Sequence, residues 1–301
     1  MNNKLTYTGI IPPIVTPLTP QEELDSDALQ KLISFDIENG VSGIFVNGTS
    51  GEALRLPDHV WQETMRTALA ASFGRIPVFC GAIDTSTSRV IERLKTIEEC
   101  GGKIAVCTPP FYLTSFGQDE ILRHYDAICR STDLEIAVYN IPETTHANIL
   151  PETISRLAEY DSIVAYKDST ADWQQLQRAM ILLKDKDIAV LNGAEELCCV
   201  SMLWGAGGCI PGLANFVPGL FVQLQNSCRA GCLEKARQLQ EQINAIRKAI
   251  FVSGCWMAGM KGILELFGLG SRTVSQPLQA VTESQLDEIR RILTSGGVSL
   301  A

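Results

Sequence analysis

Histidine, basic clusters and long apolar runs are what this 301-residue chain has least of. Its only histidines are His59, His124 and His146, too few for a histidine-built metal cluster. Ten cysteines would permit a thiolate site, but their spacing does not supply one. Cys198 and Cys199 are adjacent, Cys228 and Cys232 stand one helical turn apart, and no Cys-x-x-Cys pair exists. No lysine- or arginine-rich run occurs, and 34 acidic against 25 basic side chains give a formal net charge of −9. Nucleic acid and anionic membrane surfaces are therefore excluded as expected partners. No apolar stretch approaches the roughly 20 residues of a membrane-spanning helix. The first residues, Met-Asn-Asn-Lys-Leu-Thr-Tyr-Thr-Gly, carry no apolar signal core. A cytoplasmic, metal-free protein with reduced, core-packed cysteines is expected.

What is present is a regular alternation. Short apolar runs at 9–18, 42–49, 77–83, 103–108, 135–141, 162–167, 188–192 and 208–211 read as strands. Amphipathic patterns at 26–38, 58–73, 86–99, 118–130, 151–159, 171–184 and 195–204 read as helices between them. Asp25 or Ser26 caps the first helix and Asn39-Gly40 ends it, while Pro57 and Pro151 suit first helical turns. The fold class is α/β, a (β/α)8 TIM barrel. A doubly wound open sheet fits less well, because no Gly-x-Gly-x-x-Gly loop follows the first strand. Helical patterns at 217–230, 232–251, 256–267 and 283–293 exceed what barrel closure needs. Residues 1–225 are read as the catalytic barrel and 226–301 as a C-terminal helical extension.

In a barrel, chemistry lies at the carboxyl ends of the strands. Lys167 closes the apolar, partly β-branched run Ser162-Ile163-Val164-Ala165-Tyr166. An ordinary lysine is only about 0.04% free amine at pH 7. Held partly out of water, where the ammonium form is disfavoured, such an amine becomes a nucleophile toward ketones. The plainer alternatives are a lysine snorkelling to solvent or pairing with Asp168. The loop Asn47-Gly48-Thr49-Ser50-Gly51-Glu52 offers hydroxyls and exposed N–H groups suited to a carboxylate, or is an ordinary turn. Tyr139 is a proton carrier if its hydroxyl faces the barrel axis, and otherwise a packed strand-end aromatic. Tyr112 is either a second phenol in the site or a loop anchor. Of Glu195 and Glu196, one is read as binding substrate hydroxyls and the other as serving the helix dipole. His146 and Asp84 are polar and near strand ends, and their spacing says no more.

Gly-Thr-Ser-Gly-Glu at 48–52, Tyr-Asn-Ile-Pro at 139–142 and Tyr-Lys-Asp-Ser at 166–169, in that order, resemble the dihydrodipicolinate synthase/N-acetylneuraminate lyase superfamily. The resemblance covers nearly the whole chain, from Gly9-Ile10-Ile11-Pro12-Pro13 through Gly205-Ala206-Gly207-Gly208 to the C-terminal helices. It implies a class I pyruvate-type aldolase, lyase, synthase or dehydratase that uses neither an organic cofactor nor a catalytic metal. By resemblance Lys167 is the Schiff-base lysine and Tyr139 the proton shuttle. Thr49 and Ser50 bind the 2-oxo acid carboxylate, and Tyr112 reaches across a subunit interface of a homotetramer built from dimers. Gly193 and Ile210 are implied pocket-wall positions.

Departures from the superfamily narrow the substrate. In dihydrodipicolinate synthases an arginine after Tyr-Asn-x-Pro grips the aldehyde partner's carboxylate, and here Thr144 stands in its place, so a second carboxylate lacks a bidentate partner. Asn192-Gly193-Ala194-Glu195-Glu196 is similar to the hydroxyl-binding stretch of N-acetylneuraminate lyases, which implicates Glu196. Gly212-Leu213-Ala214-Asn215 is more similar to 2-keto-3-deoxy sugar-acid aldolases. The expected activity is cleavage or formation of a 2-keto-3-deoxy sugar acid, with pyruvate and an aldehyde as small-molecule partners. The alternatives are 4-hydroxy-tetrahydrodipicolinate synthase, N-acetylneuraminate lyase, a sugar-acid dehydratase using the same lysine, and a non-catalytic sugar-acid-binding protein.

Overall fold

The computed structural model describes residues 7–113 and 117–300. Eight strands, β1 Gly9–Ile10, β2 Ile44–Val46, β3 Val78–Gly81, β4 Ile104–Cys107, β5 Glu135–Asn140, β6 Ile163–Asp168, β7 Ala189–Asn192 and β8 Gly208–Cys209, form one parallel sheet. Its order, β1-β8-β7-β6-β5-β4-β3-β2, leaves only β1 and β2 to be joined. The join is made just past β1, where Phe45 N–H donates to Pro12 O at 2.9 Å and Ile14 N–H to Phe45 O at 2.8 Å. The strand expected over 9–18 pairs regularly only at Gly9–Ile10, because Pro12 and Pro13 have no N–H to give a ladder. The expected TIM barrel is the observed fold.

Alternation along each strand divides the apolar residues into two cores. Ile11, Phe45, Phe79, Ala137, Ala165 and Leu191 point inward and fill the barrel. Ile44, Val46, Ile136, Val138, Tyr166 and Val190 point outward into the layer between barrel and helices. That layer is completed by α1 Ser26–Glu38, α2 Asp58–Ser72, α3 Thr87–Glu99, α4 Gln118–Cys129, α5 Pro142–Thr145, α6 Pro151–Leu157, α7 Trp173–Leu183, α8 Cys198–Leu203 and α9 Pro218–Arg229. α10 Leu233–Arg247, α11 Trp256–Leu266 and α12 Glu283–Ser295 follow. Asp25 caps α1 by accepting from Ala28 N–H at 3.0 Å, and Gly40 beyond its end takes φ +86°, a left-handed conformation open to glycine. The helix α9 runs on to Arg229, across position 225, where the sequence reading places the domain boundary. The one-turn helix α5 is not among the expected elements, since four residues are too few to show a period. All ten cysteines are free, and Cys80, Cys107, Cys198, Cys209 and Cys228 are buried. Among the described residues no single helix is long and apolar enough to cross a membrane.

Helix α4 carries a buried histidine. His124 of α4 is 3% exposed. It lies 3.1 Å from Thr108 O through Nε2 and 2.9 Å from Thr87 Oγ1 through Nδ1. A carbonyl only accepts, so Nε2 carries a proton. Burial pushes its pKa from 6.5 down to about 4, with the bond to Thr108 opposing. The unfolded chain therefore binds more protons than the native one between pH 6.5 and about 4, and stability falls as pH falls through that window. The expected loss attributable to this ring is about 3 kcal/mol between pH 7 and pH 4. Denaturant titrations of the wild type and His124→Gln across that range check it: the difference between their stabilities should change by that amount.

Candidate active site

The β5–β6–β7 register sets Tyr139 beside Lys167, and Lys167 beside Leu191, at the carboxyl ends of three neighbouring strands. Alternation sends all three side chains inward. Lys167 is 4% exposed. Its Nζ stands 3.9 Å from the Tyr139 ring centroid and 5.2 Å from that of Phe45. Asp168, the next residue, points the other way. Its carboxylate accepts from the Tyr166 hydroxyl at 2.6 Å, Gln175 Nε2 at 3.1 Å and Asn140 Nδ2 at 3.3 Å, and from Thr170. Of the two plainer readings of Lys167, pairing with Asp168 is thus ruled out by strand alternation, and snorkelling by burial. Among the described residues no group forms a hydrogen bond or ion pair with Nζ of Lys167.

Beyond β2 the chain turns sharply. Asn47 and Glu52 adopt φ +55°, and a Cβ on Gly48 would lie 2.7 Å from the Phe45 ring. Gly51 N–H and Glu52 N–H are spent inside the turn, on Gly48 O and Thr49 O. The N–H groups and hydroxyls of Thr49 and Ser50 have no partner among the described residues. These unpartnered donors are what a substrate carboxylate requires.

The turn is anchored from far along the chain. Glu52 is buried, with Oε1 3.0 Å from Lys261 Nζ of α11, and Oε2 accepting from Ser275 N–H at 2.9 Å and Ser275 Oγ at 2.7 Å. Lys261 also donates to Thr273 O at 2.9 Å, and burial lowers its pKa against the opposing pull of Glu52. Removing one member of such a pair leaves an uncompensated buried charge, so Lys261→Met is expected to cost about 3–5 kcal/mol of stability. The double substitution Glu52→Gln/Lys261→Met should regain most of that loss. Urea denaturation of the three proteins measures it.

Lys167, Tyr139, Thr49, Ser50, Gly193, Ile210, Thr144 and Glu196 line one cavity of about 330 Å³ at the carboxyl end of the barrel. Gly193 permits the close approach: a Cβ there would lie 3.0 Å from Lys167 Cε and 2.0 Å from Ser169 Oγ. A larger hollow of about 500 Å³, lined by Tyr7, Glu135 and Tyr160, opens at the amino end of the strands and holds none of the expected site residues. Tyr112 is 85% exposed at φ +79° and lies outside the cavity of its own chain. Asp84 does not line the cavity either. It is tied to Arg89 at 2.6 Å and Arg93 at 3.4 Å. His146 ends α5 in a left-handed conformation, exposed and outside the lining.

Glu195 and Glu196 sit in different environments. Glu195 is buried, accepting from Leu213 N–H at 2.7 Å and from Arg247 Nε at 3.0 Å. Burial raises its pKa while those bonds oppose. Glu196 is half-exposed at the cavity rim, its Oε1 2.8 Å from Arg247 Nη1. The sequence reading missed Arg247, Ile250, Phe251, Trp256 and Met260, all lining the cavity from the C-terminal helices. Their amphipathic pattern shows which face is buried, not that it is buried over a strand end. Among the described residues no cluster of three or more His, Cys, Asp and Glu side chains has a metal-holding arrangement.

Comparison with known proteins agrees with this geometry. The model of the dihydrodipicolinate synthetase family matches residues 6–295. A 4-hydroxy-tetrahydrodipicolinate synthase of Geobacter metallireducens is 33% identical over 287 residues, covering 95% of this chain and 98% of that protein. One from Thermomicrobium roseum is 31% identical over 287 residues, covering 95% of this chain and 94% of that protein. The structure of dihydrodipicolinate synthase from Bacteroides thetaiotaomicron superposes with a TM-score of 0.91 at 34% identity, covering 98% of this chain and 100% of that one. A pyruvate complex of a prophage protein of the same family from E. coli K12 superposes with a TM-score of 0.93 at 25% identity, over 97% of this chain and 99% of that one. With residues 6–295 matched by the family model and a relative 33% identical over 95% of the chain, this chain belongs to the dihydrodipicolinate synthetase family, pyruvate-dependent class I aldolases and lyases that act through a covalent lysine Schiff base and need no cofactor.

Proposed function

We propose that the chain cleaves, or reversibly forms, a 2-keto-3-deoxy sugar acid, giving pyruvate and a hydroxylated aldehyde. The observation that carries the mechanism is Lys167 Nζ, buried without a carboxylate partner and 3.9 Å from the Tyr139 ring. Lys167 as free amine adds to the 2-keto carbon, and loss of water gives an iminium. The iminium accepts the electron pair of the breaking C3–C4 bond as an enamine, while the C4 hydroxyl loses its proton and the aldehyde departs. Protonation of the enamine at C3 and addition of water return pyruvate and the amine. Tyr139, whose hydroxyl has no partner among the described residues, moves the proton. Thr49 and Ser50 hold the 2-oxo acid carboxylate and so orient the carbonyl toward Lys167. Gly193 and Ile210 form the wall beside it. Thr144 and Glu196 face the aldehyde half.

The sugar-acid assignment is supported by Thr144, a neutral residue two positions after Tyr-Asn-Ile-Pro, and by the acidic rim at Glu196. The second reading is 4-hydroxy-tetrahydrodipicolinate synthase, favoured by the names of the relatives above 30% identity. A substrate panel separates the readings. Pyruvate release from 2-keto-3-deoxy sugar acids supports the first, and loss of water from them without pyruvate release points to a dehydratase. Condensation of pyruvate with aspartate semialdehyde far faster than with any hydroxyaldehyde would overturn it. The exposed Tyr112 fits a role in a neighbouring subunit's site, in a cytoplasmic homotetramer built from dimers, with residues 1–225 as barrel and 226–301 as extension.

A further inference from the structure

We infer that Arg247 is a specificity-determining residue that donates to a hydroxyl of the aldehyde half of the substrate, and this rests on the sugar-acid reading above. Arg247 is the last residue of α10 and enters the cavity rim from the C-terminal helices. Its guanidinium is fixed on three sides. Nε donates to buried Glu195 at 3.0 Å, Nη1 lies 2.8 Å from Glu196, and Cζ stacks 4.7 Å from the Phe251 ring centroid. A guanidinium has five N–H donors, so both on Nη2 and one on Nη1 remain unpartnered. Glu195 is the positioning residue: its Oε1 is held by Leu213 N–H at 2.7 Å, so the guanidinium cannot swing without leaving the buried Oε2 unpaired.

Charge decides which oxygen these donors meet. Among the described residues that line the cavity, three carboxyls, Glu143, Glu195 and Glu196, stand against one guanidinium, Arg247. A second substrate carboxylate would enter a region already carrying more carboxyls than guanidinium, where like charge opposes it. A hydroxyl fits both halves of the pair, accepting from Arg247 and donating to Glu196. The ligand class is thus a neutral aldehyde with hydroxyls next to the reacting carbon, and a free carboxylate end is selected against.

The test is condensation of pyruvate with glyceraldehyde, propanal and succinate semialdehyde, using the wild type, Arg247→Lys and Glu196→Gln. Lysine keeps the charge beside Glu195 but loses the fork. Arg247→Lys is expected to lose about 10- to 100-fold in kcat/KM for glyceraldehyde and less than about 3-fold for propanal. Borohydride trapping of pyruvate alone, which does not involve the far end, should proceed at the wild-type rate and reports that the protein is folded. Glu196→Gln, on a half-exposed side chain, should raise the use of succinate semialdehyde relative to glyceraldehyde. Equal losses of Arg247→Lys on glyceraldehyde and propanal, or an unchanged ratio in Glu196→Gln, would overturn the assignment of Arg247 while leaving the sugar-acid reading standing. Preference of the wild type for succinate semialdehyde would overturn both.

Discussion

Lys167→Met is expected to abolish turnover, by on the order of 10⁴-fold or more, with pyruvate and any aldehyde. Methionine keeps the unbranched apolar stem that packs between Tyr139 and Phe45 and removes only the amine. Because Nζ has no hydrogen-bond or ion-pair partner among the described residues, its loss leaves no buried group unpaired. Folding stability should therefore stay within about 1 kcal/mol of the wild type, and the loss of rate cannot be charged to unfolding. Steady-state kinetics together with urea denaturation check both halves. A variant that still releases pyruvate at a substantial fraction of the wild-type rate would remove Lys167 from the mechanism.

Tyr139→Phe carries the second largest expected effect, about 10²- to 10⁴-fold in kcat, the range for loss of a positioned acid–base group. The ring is 2% exposed and packs edge-on against Phe45 at 6.0 Å between centroids, so phenylalanine preserves the wall. The hydroxyl alone is removed. The KM for pyruvate should change much less than kcat, since carboxylate binding falls to Thr49 and Ser50. The diagnostic readout is exchange of the pyruvate methyl protons with solvent deuterium. It should slow with kcat in Tyr139→Phe, whereas a tyrosine that merely packs would leave exchange unchanged.

Much of this site is legible in the sequence. Lys167 stands out there as a lysine closing an apolar run, but the roles of Lys167 and Tyr139 come from the family resemblance, and the strand register is what places both on the inner face. Barrel geometry draws attention to the loops carrying Thr49, Ser50 and Glu196, while Thr144, Gly193 and Ile210 come only from the family resemblance; one cavity holds them all. Arg247, Phe251 and Trp256 escaped because a residue at a helix end or on an apolar stripe has the same pattern whether it covers a core or a cavity. The Glu52–Lys261 pair escaped for a different reason. Its members lie more than 200 positions apart in sequence and meet only when α11 folds back on the turn after β2. Asp84 and His146 were polar residues near strand ends, and proximity along the chain did not make them converge. The first strand was read too long because apolar residues continued past Pro12, although proline had already removed the donors that a ladder needs.

The most direct test of the Schiff-base assignment is borohydride reduction of the wild-type protein in the presence of pyruvate, followed by peptide mapping by mass spectrometry. The expected result is one reduced pyruvate per chain, carried by the peptide that contains Lys167 and absent from Lys167→Met. An adduct on another lysine, or none at all from a protein that turns over pyruvate, would contradict it.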